Sequence, residues 1–466
     1  MVKINPDSFF SDAPPPRIIG TECEYEIQTG ARQQGNTGEF IQKTGLRSAG
    51  LKSVGGYLSN GGRLYLDVGE HLEYGTPECL GPRQAAAADV AGAYIMQRIV
   101  EGSKREHNGL YRNAGTYLVH TRIEDGKTEV ISNGSSRGYH ENYMFPRRVS
   151  DDPALDTVMP SFLATRLWAM SGTLRSSFVY SQKVWGLGGD PVERQIARRT
   201  QHGNKPMIII PPANKDSDVL GCHQWARLEV RFADPGLSPT VRYLGLAATS
   251  LVLRMIEHKD VVGKDFLHGL EFRDPMDAAK MFADDLTLSR TADTEEGKQY
   301  TAMDVQEALA DTAIWLSQTI DLPQDEAEAA VRWYGIIERM KAANPADSDW
   351  GNLIYELDVA AKHNYLARNH SRVEQNRENP DAVQRAFTWD RVLPRGGGMI
   401  WWEKFPSEAV APESIEELLT GVPGTRASIR AAEIRGNRGE ITGANWTMVS
   451  FKKGPVKKFL DPYESL

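Results

Sequence analysis

Cysteine is scarce in this sequence: Cys23, Cys79 and Cys222 are the only ones among 466 residues. They are widely spaced and form no CxxC pair, which excludes both a disulfide-rich scaffold and a cysteine-ligated zinc site. This usage is typical of a reducing compartment. The first residues contain no cationic segment followed by an apolar stretch, so no secretory signal is predicted. We therefore expect a cytoplasmic protein.

Long apolar runs and an excess of positive charge are also missing. No stretch approaches the roughly 18 apolar residues that can span a bilayer. The formal net charge is −8 and the pI is about 5.8. Such a chain lacks the basic field with which nucleic-acid-binding proteins neutralise phosphates. The sequence therefore predicts that neither a membrane nor a nucleic acid is a partner.

The common phosphate-binding motifs are absent as well. No GxxxxGK[ST] sequence occurs, which excludes a P-loop. The cluster Gly186-Leu187-Gly188-Gly189 does not open a helix after a strand, as the dinucleotide-binding pattern requires, and we interpret it as a turn. Any nucleotide chemistry must therefore depend on another kind of site.

Acidic residues at alternating strand positions are the most unusual feature that is present. Residues 17–28 are predicted as a strand, in which Glu22, Glu24 and Glu26 alternate with less polar residues. Because successive side chains of a strand point to opposite faces, the three glutamates share one face. Like charges on one face repel each other unless a cation neutralises them.

A second set of polar residues follows the same pattern. In the predicted strand 63–67, Arg63, Tyr65 and Asp67 share a face, and Glu73 lies on the next predicted strand. Magnesium binds carboxylate oxygens together with substrate phosphates, so the pattern predicts a magnesium site. The alternative is that these acids form the solvated face of an antiparallel sheet.

A polar triplet, His140-Glu141-Asn142, lies on a third predicted strand. Its three side chains cannot all point the same way, because alternation separates neighbours. On its own, such a triplet is more often structural than catalytic.

Patterning along the rest of the chain predicts an α+β fold. Residues 84–101 are alanine-rich and predicted as a helix. Residues 241–258 are predicted as an amphipathic helix, and helices dominate 302–369. Further strands are predicted at 115–122 and 129–132, which form a hairpin, and at 139–146, 226–233, 446–452 and 456–460.

Two breaks divide the chain. Residues 1–16 are polar, end in Pro14-Pro15-Pro16 and are predicted as an extended leader. The glycines after Arg395 mark the second boundary. We expect a large catalytic domain over residues 17–395 and a small C-terminal domain over residues 396–466.

Three motifs together resemble a known family: Gly20-Thr21-Glu22-Cys23-Glu24-Tyr25, the run NGGRLYLDVGEHLEY from Asn60 to Tyr74, and Tyr139-His140-Glu141-Asn142-Tyr143. In this order they resemble the Pup ligase (PafA) and Pup deamidase/depupylase (Dop) family, which is related to glutamine synthetase. Weaker likeness continues through Thr425-Arg426 and Asn445-Trp446. The resemblance implies a large glutamine-synthetase-like domain with a curved antiparallel sheet and packed helices, plus a small C-terminal domain.

The resemblance also implies roles for individual residues. Asp67 would be the catalytic base. The implied magnesium ligands are Glu22, Tyr65 and Glu73. The implied ATP contacts are Arg63, Thr76 and Trp446, with a core tryptophan at a domain seam as the alternative for Trp446. Further candidates for the site are Glu24, His140, Glu141 and Arg426.

The chemistry that these roles imply is stepwise. A carboxylate oxygen attacks the γ-phosphorus of ATP to give an acyl (γ-glutamyl) phosphate, and Asp67 deprotonates the amine that attacks next. The predicted function is an ATP- and magnesium-dependent ligase that forms an isopeptide or amide bond. The acyl donor would be Pup or another glutamate-type donor, and the acceptor a lysine-bearing protein or a small amine.

Two alternatives remain open. The interval between Ile27 and Asn60 has the length found in the ligase branch, whereas Thr76-Pro77-Glu78 and Gly81-Pro82-Arg83 look more like the deamidase branch. A Dop-like amide hydrolase is therefore the first alternative. A non-catalytic nucleotide-binding paralogue is the second, and the retained Asp67 argues against it.

Some positions depart from the family pattern. A run that the family begins with Arg-Pro-Ile-Ile-Asn-Thr-Arg reads Lys205-Pro206-Met207-Ile208-Ile209-Ile210-Pro211 and continues to Lys215, and the following Arg-Leu-His reads Arg227-Leu228-Glu229. At the position where the family usually has a lysine before an Asn-Asn-Thr-Asp stretch, this sequence has Arg112. Our hypothesis is a divergent member that retains the metal and nucleotide face and has altered donor recognition.

Overall fold

The structure is a computed structural model. It describes residues 4–29, 53–54, 56–67, 71–103, 107–112, 119–124, 127–132, 137–181, 183–186, 196–197, 206–213, 220–263, 269–345, 347, 350–368, 379–393, 395–436 and 440–465. Some predicted features lie outside these residues: the glycine turn at 187–189, strand residues 115–118, and the altered positions Lys205, Asn214 and Lys215.

A mostly antiparallel sheet forms the centre of the fold. The strands that carry the site are β1 (Ile18–Thr29), β2 (Arg63–Asp67), β3 (His71–Gly75), β4 (Tyr139–Pro146) and β5 (Trp225–Val230). They pair antiparallel in the spatial order β5–β4–β1–β3–β2. Each of these five predicted strands is confirmed, with small shifts at its ends.

One face of this sheet, the inner face, packs on helix α1 (Gly81–Gly102). Helix α2 (Pro239–Glu257) reaches the same face through side chains such as Arg242, whose guanidinium lies 4.5 Å from the Tyr139 ring. Inner-face residues such as Cys23, Leu64, Tyr74 and Leu228 are fully buried and belong to the main apolar cluster. Strand alternation therefore leaves the predicted polar set on the opposite face, the outer face.

The prediction that the second helix is amphipathic is wrong. Every residue of α2 is buried, because α1 packs on one side of it and helices Ala302–Thr319 and Gln324–Ala342 pack on others. Its polar residues are used in buried ion pairs: Arg242 binds Asp89, and Arg254 binds Glu326. The polar residues of this helix therefore form internal ion pairs and are not exposed to solvent.

Local sequence signals determine where helices begin. The Ser238 hydroxyl accepts a hydrogen bond from the Val241 N–H at 3.2 Å, and Pro239 opens α2. The Asp152 carboxylate likewise caps helix Pro153–Thr165 by accepting from the Ala154 N–H at 3.0 Å. Such side chains satisfy N–H groups that have no partner inside the helix.

The remaining elements lie around this centre. Other helices are Pro6–Phe10, Arg147–Val149, Arg166–Ala169 and Leu353–Tyr355, which are 3-10, and Lys183–Gly186, Lys259–Val262, Pro275–Ala283, Asp358–Ala367, Pro380–Trp389, Gly397–Lys404 and Pro412–Leu418. Other strands are Ser53–Val54, Tyr57–Leu58, Cys79–Leu80, His107–Tyr111, Val119–Glu124, Lys127–Ser132, Thr173–Leu174, Phe178–Val179, Ile196–Ala197, Ile208–Ile209, Thr291–Asp293, Gln299–Thr301 and Arg391–Leu393. Val119–Glu124 and Lys127–Ser132 form the predicted hairpin.

The leader is not simply extended, contrary to prediction. Residues Pro6–Phe10 form a 3-10 helix, and Phe9 is fully buried, with its ring 5.2 Å from that of Trp225 in an edge contact. The Arg17 guanidinium also lies over the Phe9 ring, at 5.3 Å. One aromatic side chain thus anchors a segment whose composition is otherwise polar.

The C-terminal part has its own small core. Helix α3 (Arg426–Gly436) packs on a three-stranded sheet, Ile441–Ala444, Met448–Phe451 and Lys457–Lys458, around a separate apolar cluster. Helix Gly397–Lys404 instead packs, through Met399 and Trp402, on Trp389 and Leu237 of the larger part. The division into two domains stays a prediction, and this packing favours a boundary nearer residue 425 than 396.

Candidate active site on the outer face of the sheet

Cross-strand register brings the predicted acids together on the outer face. Glu24 of β1 is opposite Glu73 of β3, which is opposite Tyr65 of β2. On the other side of β1, Glu22 is opposite His140 of β4. Directly opposed residues have Cβ atoms about 5 Å apart, so side chains from four strands meet above the middle of the sheet.

Two overlapping groups in this region have the geometry of a metal site. Glu22, Glu73 and His140 each offer a ligand atom within 4.8 Å of the others, and the same holds for Glu24, Asp67 and Glu73. Glu73 belongs to both groups. Oxygen-rich sets of this kind suit a hard divalent cation such as magnesium. Glu26, the third acid of the strand, pairs with Arg137 instead.

The electrostatics of the cluster show an excess of negative charge. Burial raises the pKa of the Glu73 carboxyl, and the neighbouring Glu22 and Glu24 raise it further, to about 9. Burial also acts to raise the pKa of Glu24, but hydrogen bonds from His71 and the Gly138 N–H outweigh it and bring that pKa to about 2. Glu73 therefore holds a proton at neutral pH beside ionised acids, and a bound cation would favour its release.

Tyr65 lies within this cluster as a neutral phenol. Burial, followed by the charges of Glu22 and Glu73, raises its pKa well above the usual range, and its hydroxyl is hydrogen-bonded to Glu73. The Arg63 guanidinium lies 4.5 Å from the centre of its ring. Tyr65 is thus in contact with a predicted ligand, and direct ligation by its oxygen stays a prediction.

Asp67, the predicted base, lies at the end of β2, opposite His71 of β3. His71 Nδ1 is 3.3 Å from Glu24 Oε2, and this hydrogen bond is the main reason that the pKa of His71 is raised. The sequence pattern predicted this strand over residues 72–76, so His71 fell just outside it and was missed. A hairpin register counted back from Glu73 would have placed His71 beside Asp67.

A cavity of about 260 Å³ opens next to the cluster. Glu22 and Asn142 line it at the end near the cluster, together with Arg63, Thr76 and Arg227. The rest of its lining is apolar at Ile18, Pro77, Met144, Leu220, Trp446 and Pro462 and charged at Glu78 and Arg426. Charged and apolar side chains in one cavity suit a ligand that has both kinds of group, such as a nucleotide.

The C-terminal part closes one side of this cavity. Arg426 and Arg430 of α3 both bind the carboxylate of Glu78, which follows β3. Burial acts to raise the pKa of Glu78, but the two guanidinium groups have the stronger effect and lower that pKa to about 2. The sequence analysis named Arg426 as a candidate and missed Glu78; together they form an ion pair that connects the C-terminal part to the large sheet.

Trp446 lies in the same wall. Its ring contacts Tyr57 edge-on at 5.1 Å, and the Arg430 guanidinium lies 5.0 Å from it. The ring is only partly buried and lines the cavity. This position differs from that of a core tryptophan and leaves part of the ring available to a ligand.

Glu141 does not belong to the site. Strand alternation turns it to the inner face, where its carboxylate binds Arg166 at 2.9 Å and accepts from the Tyr143 hydroxyl at 2.8 Å. Arg112 is also on the inner side, where it binds Asp89. Glu141 is thus removed from the candidate list, and the triplet His140-Glu141-Asn142 divides between two faces as alternation requires.

Strand β5 and Arg231, which directly follows it, add residues that the sequence analysis did not assign to the site. Arg227 donates to Asn142 Oδ1 at 2.6 Å and to Glu229 Oε2 at 3.1 Å. Arg231 Nε donates to His140 Nε2 at 3.4 Å. Alternation of side chains in residues 227–231 could have predicted this group, because it places Arg227, Glu229 and Arg231 on one face.

Comparison with known proteins identifies the family. The family model described as Pup-ligase protein matches residues 17–450. The chain belongs to the Pup-ligase family. A Pup–protein ligase of Acidimicrobium ferrooxidans is 27% identical over 439 residues, which are 90% of this chain and 89% of that ligase. A Pup–protein ligase of Bifidobacterium longum is 30% identical over 307 residues, 62% of this chain and 57% of that ligase.

Solved structures show the same fold. The ligase PafA in its complex with Pup has a TM-score of 0.78 at 20% identity, over 99% of this chain and 92% of that one. PafA with ADP has a TM-score of 0.70 at 20% identity, over 95% and 94%. The family and the α+β fold predicted from the motifs are confirmed. Within the described residues, the helices are all too short or too polar to cross a membrane.

Proposed function

We propose that this protein is an ATP- and magnesium-dependent carboxylate–amine ligase that works through an acyl phosphate. The observation that carries the proposal is the position of Glu22, which belongs both to the acidic cluster and to the lining of the adjacent cavity. A nucleotide in that cavity would have its phosphates beside the cluster. Membership of the Pup-ligase family and the ligase names of the relatives support the same reaction class.

In this proposal the cavity binds ATP with the base toward its apolar end. Arg63 is well placed for the phosphates, because the rings of Tyr57 and Tyr65 hold its guanidinium at 5.5 and 4.5 Å. The Arg63 side chain also lines the cavity. Thr76 and Trp446 would complete the contacts.

Magnesium would be held by Glu22 and Glu73, with Tyr65 and His140 beside them, and would neutralise phosphate charge. The carboxylate crowding that raises the pKa of Glu73 fits a bound cation. Glu24 belongs to the second acidic group and would either bind a cation directly or orient a residue that does.

The reaction proceeds in two displacements. An oxygen of the donor carboxylate attacks the γ-phosphorus, and ADP leaves. The amine nitrogen then attacks the acyl carbon, and phosphate leaves, while Asp67 accepts the proton of the ammonium group. Asp67 lies about 13 Å along β2 from Arg63, at the end remote from the cavity. The amine therefore approaches from the side opposite the nucleotide.

We propose a glutamate-type acyl donor, either Pup or a related carboxylate, and a lysine-bearing protein or small amine as acceptor. The names of the relatives, Pup–protein ligases, support Pup as the donor class. The low cysteine content supports the cytoplasm as the location.

The test is a product assay with the purified protein, ATP, magnesium, a lysine-bearing acceptor and a panel of glutamate-ended donors that includes Pup. We expect an amide-linked product together with equal amounts of ADP and phosphate. Ammonia release from a glutamine-ended donor with little ATP consumption would instead assign an amide hydrolase. Nucleotide binding without either product would contradict an enzymatic function.

A further inference from the structure

The leader meets the tail, which is residues 460–465, beside the nucleotide cavity. The Tyr463 hydroxyl of the tail donates a hydrogen bond to the Pro16 carbonyl oxygen at 2.9 Å, across 447 positions of sequence. The Trp225 ring at the start of β5 contacts both segments: its centre is 5.2 Å from the Phe9 ring and 6.2 Å from the Tyr463 ring. The two segments thus contact each other and one strand of the central sheet.

The aromatic residues at this meeting point support the cavity from outside. Phe9 and Trp225 form an apolar cluster with Ile18, Met144 and Leu220, and all five are at most 6% exposed. Ile18, Met144 and Leu220 line the cavity, whereas Phe9 and Trp225 do not. Closely packed side chains transmit a change of volume to their neighbours. The shape of this part of the cavity therefore depends on the leader.

The tail contributes to the cavity directly. Pro462 lines it, and the Pro462 carbonyl oxygen accepts a hydrogen bond at 3.2 Å from the N–H of Arg426, where α3 begins. The tail also passes so close to Gly221 that a Cβ there would overlap with the Leu460 carbonyl oxygen. Gly221 has a φ of +85°, which glycine adopts readily. The tail therefore lies in a defined position on this wall.

The leader is fixed by contacts with the helices. The Pro15 carbonyl oxygen accepts a hydrogen bond from Arg254 Nη2 of α2 at 2.6 Å, and the Asp12 carbonyl oxygen accepts one from the Asp321 N–H at 2.6 Å. The Arg254 guanidinium also lies 4.8 Å from the centre of the Phe9 ring. These contacts give the leader a specific binding site on the folded protein.

Both segments lie outside residues 17–450, which the family model matches. Glu22 and Arg63, which line the charged part of the cavity, lie within that range. The cavity thus combines residues of the family match with a wall that the leader and the tail complete. A change at this wall can alter the affinity for a nucleotide without altering the groups that carry the reaction.

We propose that the leader and the tail together position the nucleotide, because Phe9 and Tyr463 hold the apolar wall of the cavity in the shape that binds it. This inference rests on the proposed function, since it takes the cavity as the nucleotide site. Neither residue touches the reacting atoms, so both are positioning residues. Coupling between two binding events is reciprocal. A nucleotide that binds more tightly when the leader is docked must therefore also stabilise the docked leader.

The first test measures hydrogen exchange in the full chain with magnesium, with and without saturating ADP. The leader offers suitable amides, because the Ser8 and Ser11 N–H groups are hydrogen-bonded within it. We expect ADP to slow their exchange about 5-fold or more. Tyr463→Phe keeps the ring but loses the hydrogen bond to Pro16, so ADP should protect the leader less in this variant.

The internal control is the hairpin of strands Thr291–Asp293 and Gln299–Thr301, which does not line the cavity. Its exchange should be the same with and without ADP. Exchange of the leader that ADP does not slow would overturn the proposal, and so would protection that Tyr463→Phe leaves at the wild-type level.

The second test compares ADP affinities by calorimetry. Phe9→Ala should weaken binding about 5- to 20-fold, whereas Phe9→Leu, which keeps most of the apolar volume, should stay within about 2-fold of the wild type. Phe282→Ala is the matched control, because it also removes a fully buried phenylalanine, whose ring is 5.6 Å from that of Phe272, but from helix Pro275–Ala283, which does not line the cavity. It should bind ADP like the wild type.

The outcomes separate this inference from the proposed function. Equal ADP affinity in Phe9→Ala and Phe282→Ala would overturn the inference, even if the wild type forms the amide product. Should Phe9→Ala fail to fold, the exchange comparison between the wild type and Tyr463→Phe decides. Coupling between ADP and the leader in a protein that forms no amide product would contradict the proposed function and support the inference.

Discussion

The two faces of the central sheet treat charge in opposite ways. On the inner face, each acid described here is paired: Asp89 contacts Arg112 and Arg242, and Glu141 contacts Arg166. Around Glu73 on the outer face, in contrast, carboxylates lie beside carboxylates, and burial together with the charges of Glu22 and Glu24 raises the pKa of Glu73. Acidic residues thus form stabilising ion pairs on the inner face, whereas those around Glu73 on the outer face repel each other in the absence of a cation.

This contrast separates structural from functional acids. A buried acid with its own arginine costs stability when it is removed. An acid that lies next to other acids destabilises the fold through charge repulsion. Its presence there is typical of a functional site, in this case one that binds a cation. Matched substitutions on the two faces test this distinction.

The largest effect is expected from Asp67→Asn on the outer face. Loss of the group that accepts the proton of the amine should lower product formation by about 1,000-fold. Affinity for ADP and the thermal midpoint should change little, because Asp67 does not line the cavity. Rates are measured by product assay and affinity by calorimetry, with exposed Asp277→Asn as control. Retention of more than a tenth of the activity would rule out Asp67 as the base.

The next largest effect is expected from Glu141→Gln on the inner face. This change leaves Arg166 buried without its partner, which should lower the free energy of unfolding by about 3–5 kcal/mol. Denaturant titration measures the loss. A variant as stable as the wild type would mean that the inner pairs are not structural, and the contrast between the faces would fail.

Trp446→Ala should have a smaller effect that is confined to the nucleotide. Loss of the aromatic wall should weaken ADP binding by about 3- to 10-fold while the fold stays intact. Trp401→Ala is the control, because Trp401 also packs among aromatic side chains, 6.1 Å from Tyr355, but lies outside the cavity. Equal ADP affinity in both variants would remove Trp446 from the site.

The smallest effect, and the one with an unusual sign, is expected from Glu73→Gln in metal-free buffer. The folded pKa of Glu73, about 9, lies above its ordinary value of 4.5. Between these values the unfolded chain ionises this group and the folded protein does not, so stability falls as pH rises. Glutamine does not titrate, so the thermal midpoint of the variant should gain on the wild type as pH rises from 5 to 9.

Glu73→Gln should also bind magnesium more weakly than the wild type, because the variant lacks a charged ligand. A variant that loses thermal stability relative to the wild type as pH rises would contradict the account of the outer face.

Much of this site was predictable from the sequence because strand alternation is simple. Period two alone places Glu22 with Glu24, and Tyr65 with Asp67, on one face of their own strands, and the strand bounds were nearly correct. The same rule, applied to His140-Glu141-Asn142, already implied that Glu141 must point away. The family and its fold followed from motif order, which depends on long specific runs and not on packing.

Other features could not be predicted, because they depend on contacts between distant segments. Nothing local shows that Glu78 pairs with Arg426 and Arg430, about 350 positions later. The full burial of α2 depends on the helices that pack around it. Its polar residues suggested a solvent-exposed side, but they pair with acids of other helices, as Arg242 does with Asp89. Phe9 was overlooked because two adjacent aromatic residues, Phe9 and Phe10, do not change the mainly polar composition of the leader.

The most direct test of the central claim is a crystal structure with manganese and ADP, in which anomalous scattering locates the metal. The account predicts a peak within about 2.0–2.4 Å of carboxylate oxygens of Glu22 and Glu73, with the ADP phosphates at the adjoining end of the cavity. A peak remote from these two carboxylates, or ADP bound with no metal near them, would contradict the claim that the outer-face acids form the cation site.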